Sequence, residues 1–394
     1  MQYRRFGRTE LQMPVFSCGG MRYQYKWQDM APGDIPAESQ RNLVATIEAA
    51  LGAGINHIET ARGYGSSEMQ LGQILPHLDR EQLIVQTKVA PSPNPSEFRD
   101  NFAKSLHYLQ LDYVDLLALH GVNNEELLQQ CLRSGGCLEV AKALQAEGKV
   151  RFLGFSTHAP LEVILQAIQT DQFDYLNLHW YYINQRNEAA IAAARQYDMG
   201  VFIISPSDKG GKLYQPSAKW IDLCHPLSPM VFNDLFCLSH PGVHTLSIGA
   251  SRPEDFGEHL QTLSYLDKAA ELLPPILERF DQAGIAALGA DWWQTWSIGL
   301  PDYRQIPGEI NILVILWLRN LVLAYDMVDY ARIRYNFLGN AGHWFPGQSA
   351  ANLEQYDLSV CLAQSPHAEI IPKLLAETHQ LLSGQPQQRL SQQD

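Results

Sequence analysis

The stretch Ile55-Asn-His-Ile-Glu-Thr-Ala-Arg-Gly-Tyr-Gly-Ser-Ser-Glu68 changes character in its middle. Ile55 to Ile58 is a short apolar run of strand type, and from Glu59 onward glycines and small polar residues take over, as in a loop. Just upstream, Asn42–Ala53 places apolar residues at helical spacing and ends at Gly54, which can adopt the left-handed conformation that stops a helix. The order is therefore helix, strand, loop. It recurs along the chain, with strand candidates at Val15–Cys18, Ile55–Ile58, Leu83–Val85, Tyr113–Leu119, Val150–Phe155, Tyr175–Leu178, Val201–Ile204 and Val243–Ile248. Helical stretches such as Glu139–Ala146 and Glu188–Tyr197 lie between them. Eight strands alternating with helices, mostly about thirty residues apart, favour an α/β fold of the closed (β/α)8 TIM barrel type over an open sheet.

Outside this repeat, Tyr3–Met13 alternates and contains Gly7-Arg8, which reads as a hairpin closing the bottom of the barrel. After about residue 270 the alternation stops, and helices and irregular loops rich in Trp and Pro follow. Residues 1–270 are thus expected to form the barrel and residues 271–394 a mainly helical C-terminal extension. The apolar run Ile310–Trp317 is followed by Arg319, Asn320 and Asp326, too soon for the roughly 20 residues of a membrane span. A buried helix is expected there.

Bulk composition narrows the function. A net charge of -13 argues against a nucleic-acid backbone or an anionic membrane as partner. The six cysteines show no CxxC or regular framework, and the first residues, Met1-Gln-Tyr-Arg-Arg, are polar. Reduced thiols and a cytoplasmic protein are expected. The histidines are scattered at unrelated spacings, so no metal site is expected. His179-Trp-Tyr-Tyr182, at the end of the sixth strand, reads equally as pocket lining and as plain packing.

Four residues fall where strand gives way to loop: Glu59, Tyr64, Lys88 and His120. In a barrel these positions share the mouth at the carboxyl ends of the strands. A phenol has an ordinary pKa of about 10, and a neighbouring ammonium favours its ionised form, easing proton donation. A carboxylate can hold that ammonium charged and in place, and an imidazole can steer a carbonyl oxygen by a hydrogen bond. Together they read as a device for protonating an oxyanion as it forms.

Glu59-Thr-Ala-Arg-Gly-Tyr-Gly-Ser-Ser-Glu68 with Leu71-Gly72 resembles a signature of the aldo-keto reductases, usually D-T-A-x-x-Y-G-x-S-E. Other landmarks follow in family order: Arg5-Phe-Gly-Arg-Thr, Cys18-Gly-Gly-Met21, Lys88, Asp112-Tyr-Val-Asp-Leu-Leu before His120, and Gly148-Lys-Val-Arg-Phe-Leu-Gly-Phe-Ser156. Ser205-Pro206 with Gly210-Gly-Lys-Leu213, and Ile248-Gly249, complete the set, which spans roughly residues 1 to 265. The resemblance implies reduction of an aldehyde or ketone by hydride from NAD(P)H. Tyr64 would be the general acid, assisted by Lys88 and Glu59, with His120 orienting the substrate. Glu59 stands where the family usually has Asp, which keeps the charge and adds a methylene.

By the same resemblance, Ser156 and Asn177 would hold the nicotinamide amide, and Ser205, Gly249, Ser251 and Arg252 would lie along the cofactor phosphates. Gly249-Ala-Ser251-Arg-Pro-Glu254 has a capping-box pattern at the barrel position favoured for phosphate. The family's NADP-type pattern places Lys two residues before this serine and Arg before an E-N pair, whereas this chain has Gly249, Asp255 and then Glu258-His259. NADPH is the expected cofactor, with NADH as the alternative.

The tail resembles the carboxyl-terminal ferredoxin-like domain that some aldo-keto reductases carry, at Ser359-Val-Cys361-Leu-Ala-Gln-Ser365-Pro366 and Glu369–Leu375. Counting from Cys361 puts Gln355, Leu358 and Ser365 where the other thiolates of a C-x2-C-x2-C-x3-C run would be. Iron–sulfur clusters need several thiolates, so no cluster is expected, and Trp292, Trp293, Trp296 and Trp317 are expected to pack the helices. The rival reading is a non-catalytic barrel serving as a binding or assembly module, with a protein partner taken by the C-terminal domain.

Overall fold

The structure, a computed structural model, describes residues 1–388. It divides into two compact units: residues 1–210 with 230–269, and residues 211–229 with 270–388.

In the first unit, β1 (Tyr3–Arg5) and β2 (Gln12–Pro14) form an antiparallel hairpin. Eight strands follow: β3 (Phe16–Gly19), β4 (His57–Glu59), β5 (Ile84–Val89), β6 (Val114–Leu119), β7 (Val150–Ser156), β8 (Tyr175–Leu178), β9 (Gly200–Ile203) and β10 (Thr245–Ile248). All pair in parallel with their sequence neighbours, and β10 pairs with β3 to close the barrel. Every strand candidate read from the sequence overlaps one of these.

Alternation along each strand sorts the side chains. On β6, Leu117 and Leu119 join the outer core with helix residues such as Phe98, Phe102, Ala141 and Ile164. Leu116 and Ala118 instead join an inner cluster with Ile84, Tyr175, Phe202 and the hairpin's Phe6 and Met13, so the hairpin does plug the barrel floor. Space inside is tight enough that a Cβ at Gly154 would lie 2.5 Å from the Tyr175 ring. Above this apolar floor the interior is polar: Ser17, His57, Glu59, Gln86, Lys88, Asn177 and Thr245 are all buried.

The helix expected over Asn42–Ala53 runs from Ala37 to Gly52. Its first turn, Ala37-Glu-Ser-Gln40, is mostly polar and shows no apolar stripe, while Pro36 immediately before it fixes where the helix begins.

The second unit is mainly helical. Its longest apolar element, the helix Ile312–Tyr325, is buried along nearly its whole length, and the side chain of Asn311 caps it by accepting from the Val314 N–H at 3.2 Å. Trp220, from the segment 211–229, packs edge-on to Phe280 and Tyr325 with ring centroids 5.3 and 5.8 Å away. Trp292 and Trp317 are buried, and the Trp292 indole N–H donates to Asn320 Oδ1 at 2.9 Å. Trp293 and Trp296 are only partly covered. Among the described residues no helix is long and apolar enough to cross a membrane, and no group of three His, Cys, Asp or Glu side chains is arranged to hold a metal ion.

Candidate active site

Glu59 ends β4 and Lys88 lies one residue before the end of β5, both pointing into the barrel near its mouth. Their side chains form a buried ion pair, Lys88 Nζ to Glu59 Oε1. The ammonium also donates to the Thr60 carbonyl at 2.8 Å. Burial pushes the Lys88 ammonium well below the usual lysine range, and the contact with the Glu59 carboxylate opposes that push. The extra methylene of Glu59 therefore does not prevent the pairing.

Tyr64 sits on the loop after β4, with Lys88 Nζ 4.7 Å from the centre of its ring. His120, directly after β6, meets the same ring edge-on with centroids 5.7 Å apart. Trp27, from the long loop after β3, packs edge-on at 6.1 Å. This approach depends on Gly65: its φ is +55°, and a Cβ there would fall 2.0 Å from the Lys26 carbonyl. The Tyr64 loop is anchored from below, because Glu68 pairs with Arg62 and accepts from Thr87 Oγ1 at 2.6 Å.

Ser156 and Asn177 lie opposite each other in the register of β7 and β8. The Ser156 hydroxyl accepts from the Gly121 N–H at 2.9 Å, and Thr157 Oγ1 donates to the Val122 carbonyl, so β7 steadies the loop that carries His120. Asn177 Oδ1 accepts from Gln86 Nε2 at 3.3 Å, while its buried Nδ2 has no partner among the described residues. An unsatisfied buried amide N–H suits a carbonyl oxygen such as that of a carboxamide ligand.

The remaining four predicted residues lie on other loops at the same end. Ser205, two residues beyond the end of β9, has φ +55°, and its side chain makes no capping bond to the short helix Pro206–Lys209. Gly249 follows β10, and Ser251 and Arg252 are exposed. The capping box is not formed as expected. Instead Asp255 reaches back, accepting from the Ser251 N–H at 2.8 Å and from Arg252 Nε at 3.2 Å. The shorter Asp255 side chain, one residue further on, occupies the N–H that Glu254 was expected to take.

Several polar residues escaped the sequence reading. His57 is buried inside β4, two residues before Glu59, and its Nδ1 meets Ser17 Oγ at 2.7 Å, which in turn meets Thr245 Oγ1 at 2.7 Å. Burial and the Lys88 charge push its imidazole down to about 3. Gln86 shares the inner face with Lys88 by simple two-residue alternation, a signal present in the sequence. At the ends of β7 to β9, Lys209 Nζ donates to His158 Nε2 and His179 Nε2, each at 3.2 Å, and His179 Nδ1 meets the Tyr181 hydroxyl at 2.5 Å. His179 therefore belongs to a polar cluster as well as to the rim.

Residues 17–164, which run from β3 through β7, match the Aldo/keto reductase family. The chain is similar to L-galactose dehydrogenase of Arabidopsis thaliana, 30% identical over 207 residues that make up 48% of this chain and 62% of that protein. It is also similar to the NADH-specific methylglyoxal reductase of Escherichia coli K12, 26% identical over 42% of this chain and 57% of that protein. The chain thus spans about 60% of the length of these curated relatives. Among solved structures, an aldo-keto reductase from Klebsiella pneumoniae in complex with NADP and acetate superposes with a TM-score of 0.55 at 22% identity, covering 70% of this chain and 96% of that one. That likeness supports the barrel fold.

Proposed function

We propose that the protein reduces an aldehyde or ketone, or oxidises the corresponding alcohol, with NAD(P)H and NAD(P)+ as redox partner. The observation that carries this reading is the buried Lys88–Glu59 pair set against the ring of Tyr64, with His120 edge-on, at the mouth of the barrel. When bound, a reduced nicotinamide supplies the hydride. Tyr64 gives its proton to the substrate oxygen, and the Lys88 ammonium stabilises the negative charge left on the phenol. Glu59 keeps the ammonium in place. His120 orients the carbonyl oxygen toward Tyr64, and Trp27 walls the same space.

Asn177, with its unsatisfied amide N–H, and Ser156 would hold the carboxamide of the nicotinamide. Ser205, Gly249, Ser251 and Arg252 would line the phosphates. NADPH is the first nucleotide to test and NADH the second, since the carboxylate of Asp255 already neutralises Arg252 and opposes an added phosphate. The tail reads as a cluster-free relative of a ferredoxin-like domain, because Leu358, at a would-be ligand position, is buried as an ordinary core side chain.

The test is a carbonyl-substrate screen followed by loss of nucleotide absorbance at 340 nm. Tyr64→Phe should reduce turnover by about 10²-fold or more while nucleotide affinity changes little, in keeping with removal of a general acid. Equal turnover in both proteins would refute the assigned acid. Failure of both nucleotides to change tryptophan fluorescence or melting temperature at millimolar concentration would remove the enzyme reading and favour a binding module.

A further inference from the structure

A second constellation, separate from the quartet, joins three segments at the ends of β9 and β10. Asp234, on the helix Pro229–Ser239, is buried and accepts from His259 Nδ1 at 2.5 Å. His259, on the helix Phe256–Gln261, is itself buried, and its Nε2 lies 3.5 Å from the hydroxyl of Ser207. Ser207 is half-buried on the short helix after β9.

Donation from Nδ1 to a carboxylate fixes the neutral imidazole as the tautomer with a lone pair on Nε2, and that lone pair faces the Ser207 hydroxyl, whose proton it can take. The chain leaves β9 through Ser205 in the left-handed region, a sharp strand-to-helix turn that presents the next residues at the barrel mouth. A purely structural clasp between helices would satisfy its buried carboxylate. Here Asp234 Oδ1 has no hydrogen-bond partner among the described residues, so the carboxylate keeps unspent capacity to stabilise a positive imidazolium.

We propose that Ser207 is an activated nucleophile, with His259 as its base and Asp234 as the positioning residue, and that it takes acyl groups from carboxylic esters. Ser207 Oγ bonds to the carbonyl carbon as the ester C–O bond breaks. The serine proton passes to His259 Nε2 and then to the departing alcohol oxygen. Water attacks the acyl-serine by the same route, releasing the acid and restoring Ser207.

The test uses the full chain, a fluorophosphonate probe with peptide mapping, and p-nitrophenyl acetate as ester. The expected result is covalent label on Ser207, abolished in Ser207→Ala and slowed at least about 100-fold in His259→Gln, with p-nitrophenol release falling in parallel. The labelling rate should follow one ionisation, raised from the ordinary histidine value by the Asp234 carboxylate, that disappears in His259→Gln. Wild-type protein that carries no label on Ser207 overturns the proposal, and this result needs no variant to fold. Label on Ser207 at an unchanged rate in His259→Gln, checked for wild-type melting temperature, overturns the role of the base. Ester turnover that persists in Ser207→Ala overturns the nucleophile.

Discussion

Replacing Glu59 by Gln isolates the charge on which the proposed proton donor depends. The substitution keeps shape and leaves Lys88 with the Thr60 carbonyl as an acceptor, but removes its counter-charge. Lys88 is 1% exposed, so the protein has two responses. Keeping an unpaired buried ammonium costs about 3–5 kcal/mol. Shedding the proton at pH 7 from a group whose ordinary value is 10.5 costs about 5 kcal/mol, at about 1.4 kcal/mol per unit. The cheaper response sets the loss, so the variant should be destabilised by about 3–5 kcal/mol at pH 7. The second cost shrinks as pH approaches 10.5, because a variant whose Lys88 is neutral when folded binds fewer protons than its unfolded chain, and its folding gains as pH rises. At pH 9.5 the difference from wild type should fall to about 1.4 kcal/mol. Urea unfolding followed by tryptophan fluorescence at both pH values measures it. A difference below 1 kcal/mol at pH 7, or one that does not change with pH, would show that the wild-type pair is neutral, and the electrostatic assistance assigned to Lys88 would fail with it.

Two further outcomes follow from neighbouring residues. His57, held down to about 3 against an ordinary 6.5, favours folding fully above pH 6.5 and loses that contribution as pH falls toward 3; His57→Gln should therefore remove about 2 kcal/mol of the stability lost between pH 7.5 and 5, read from urea midpoints. Asp255→Asn removes a negative charge from Arg252 and the Ser251 N–H while keeping an acceptor, and should shift the ratio of NADPH to NADH affinity upward by about 3- to 5-fold in fluorescence titrations at low salt.

The barrel was legible because period-two and helical patterns are local, and each strand run was bounded by a recognisable stop. The quartet was legible because loop residues directly after strands must meet at one mouth once the barrel closes. The capping carboxylate is Asp255 and not Glu254, a choice the sequence hides because its pattern cannot decide which of two adjacent carboxylates turns back to a free N–H. The Ser207–His259–Asp234 contacts were invisible for a different reason: they span positions 207, 234 and 259, on separate helices brought together by the parallel pairing of β9 with β10. His57 was noticed only as one more scattered histidine, although its place two residues before Glu59 already put it on the same inner face.

The placement of residues 211–229 with residues 270–388 has a bearing on how such a gene can change. Trp220 has its ring neighbours Phe280 and Tyr325 on a stretch of chain translated later, so a stop codon after the last barrel strand would strand an indole with nothing to cover it. The tail is therefore darned into the middle of the coding sequence, and a lineage can rewrite it residue by residue far more readily than it can discard it.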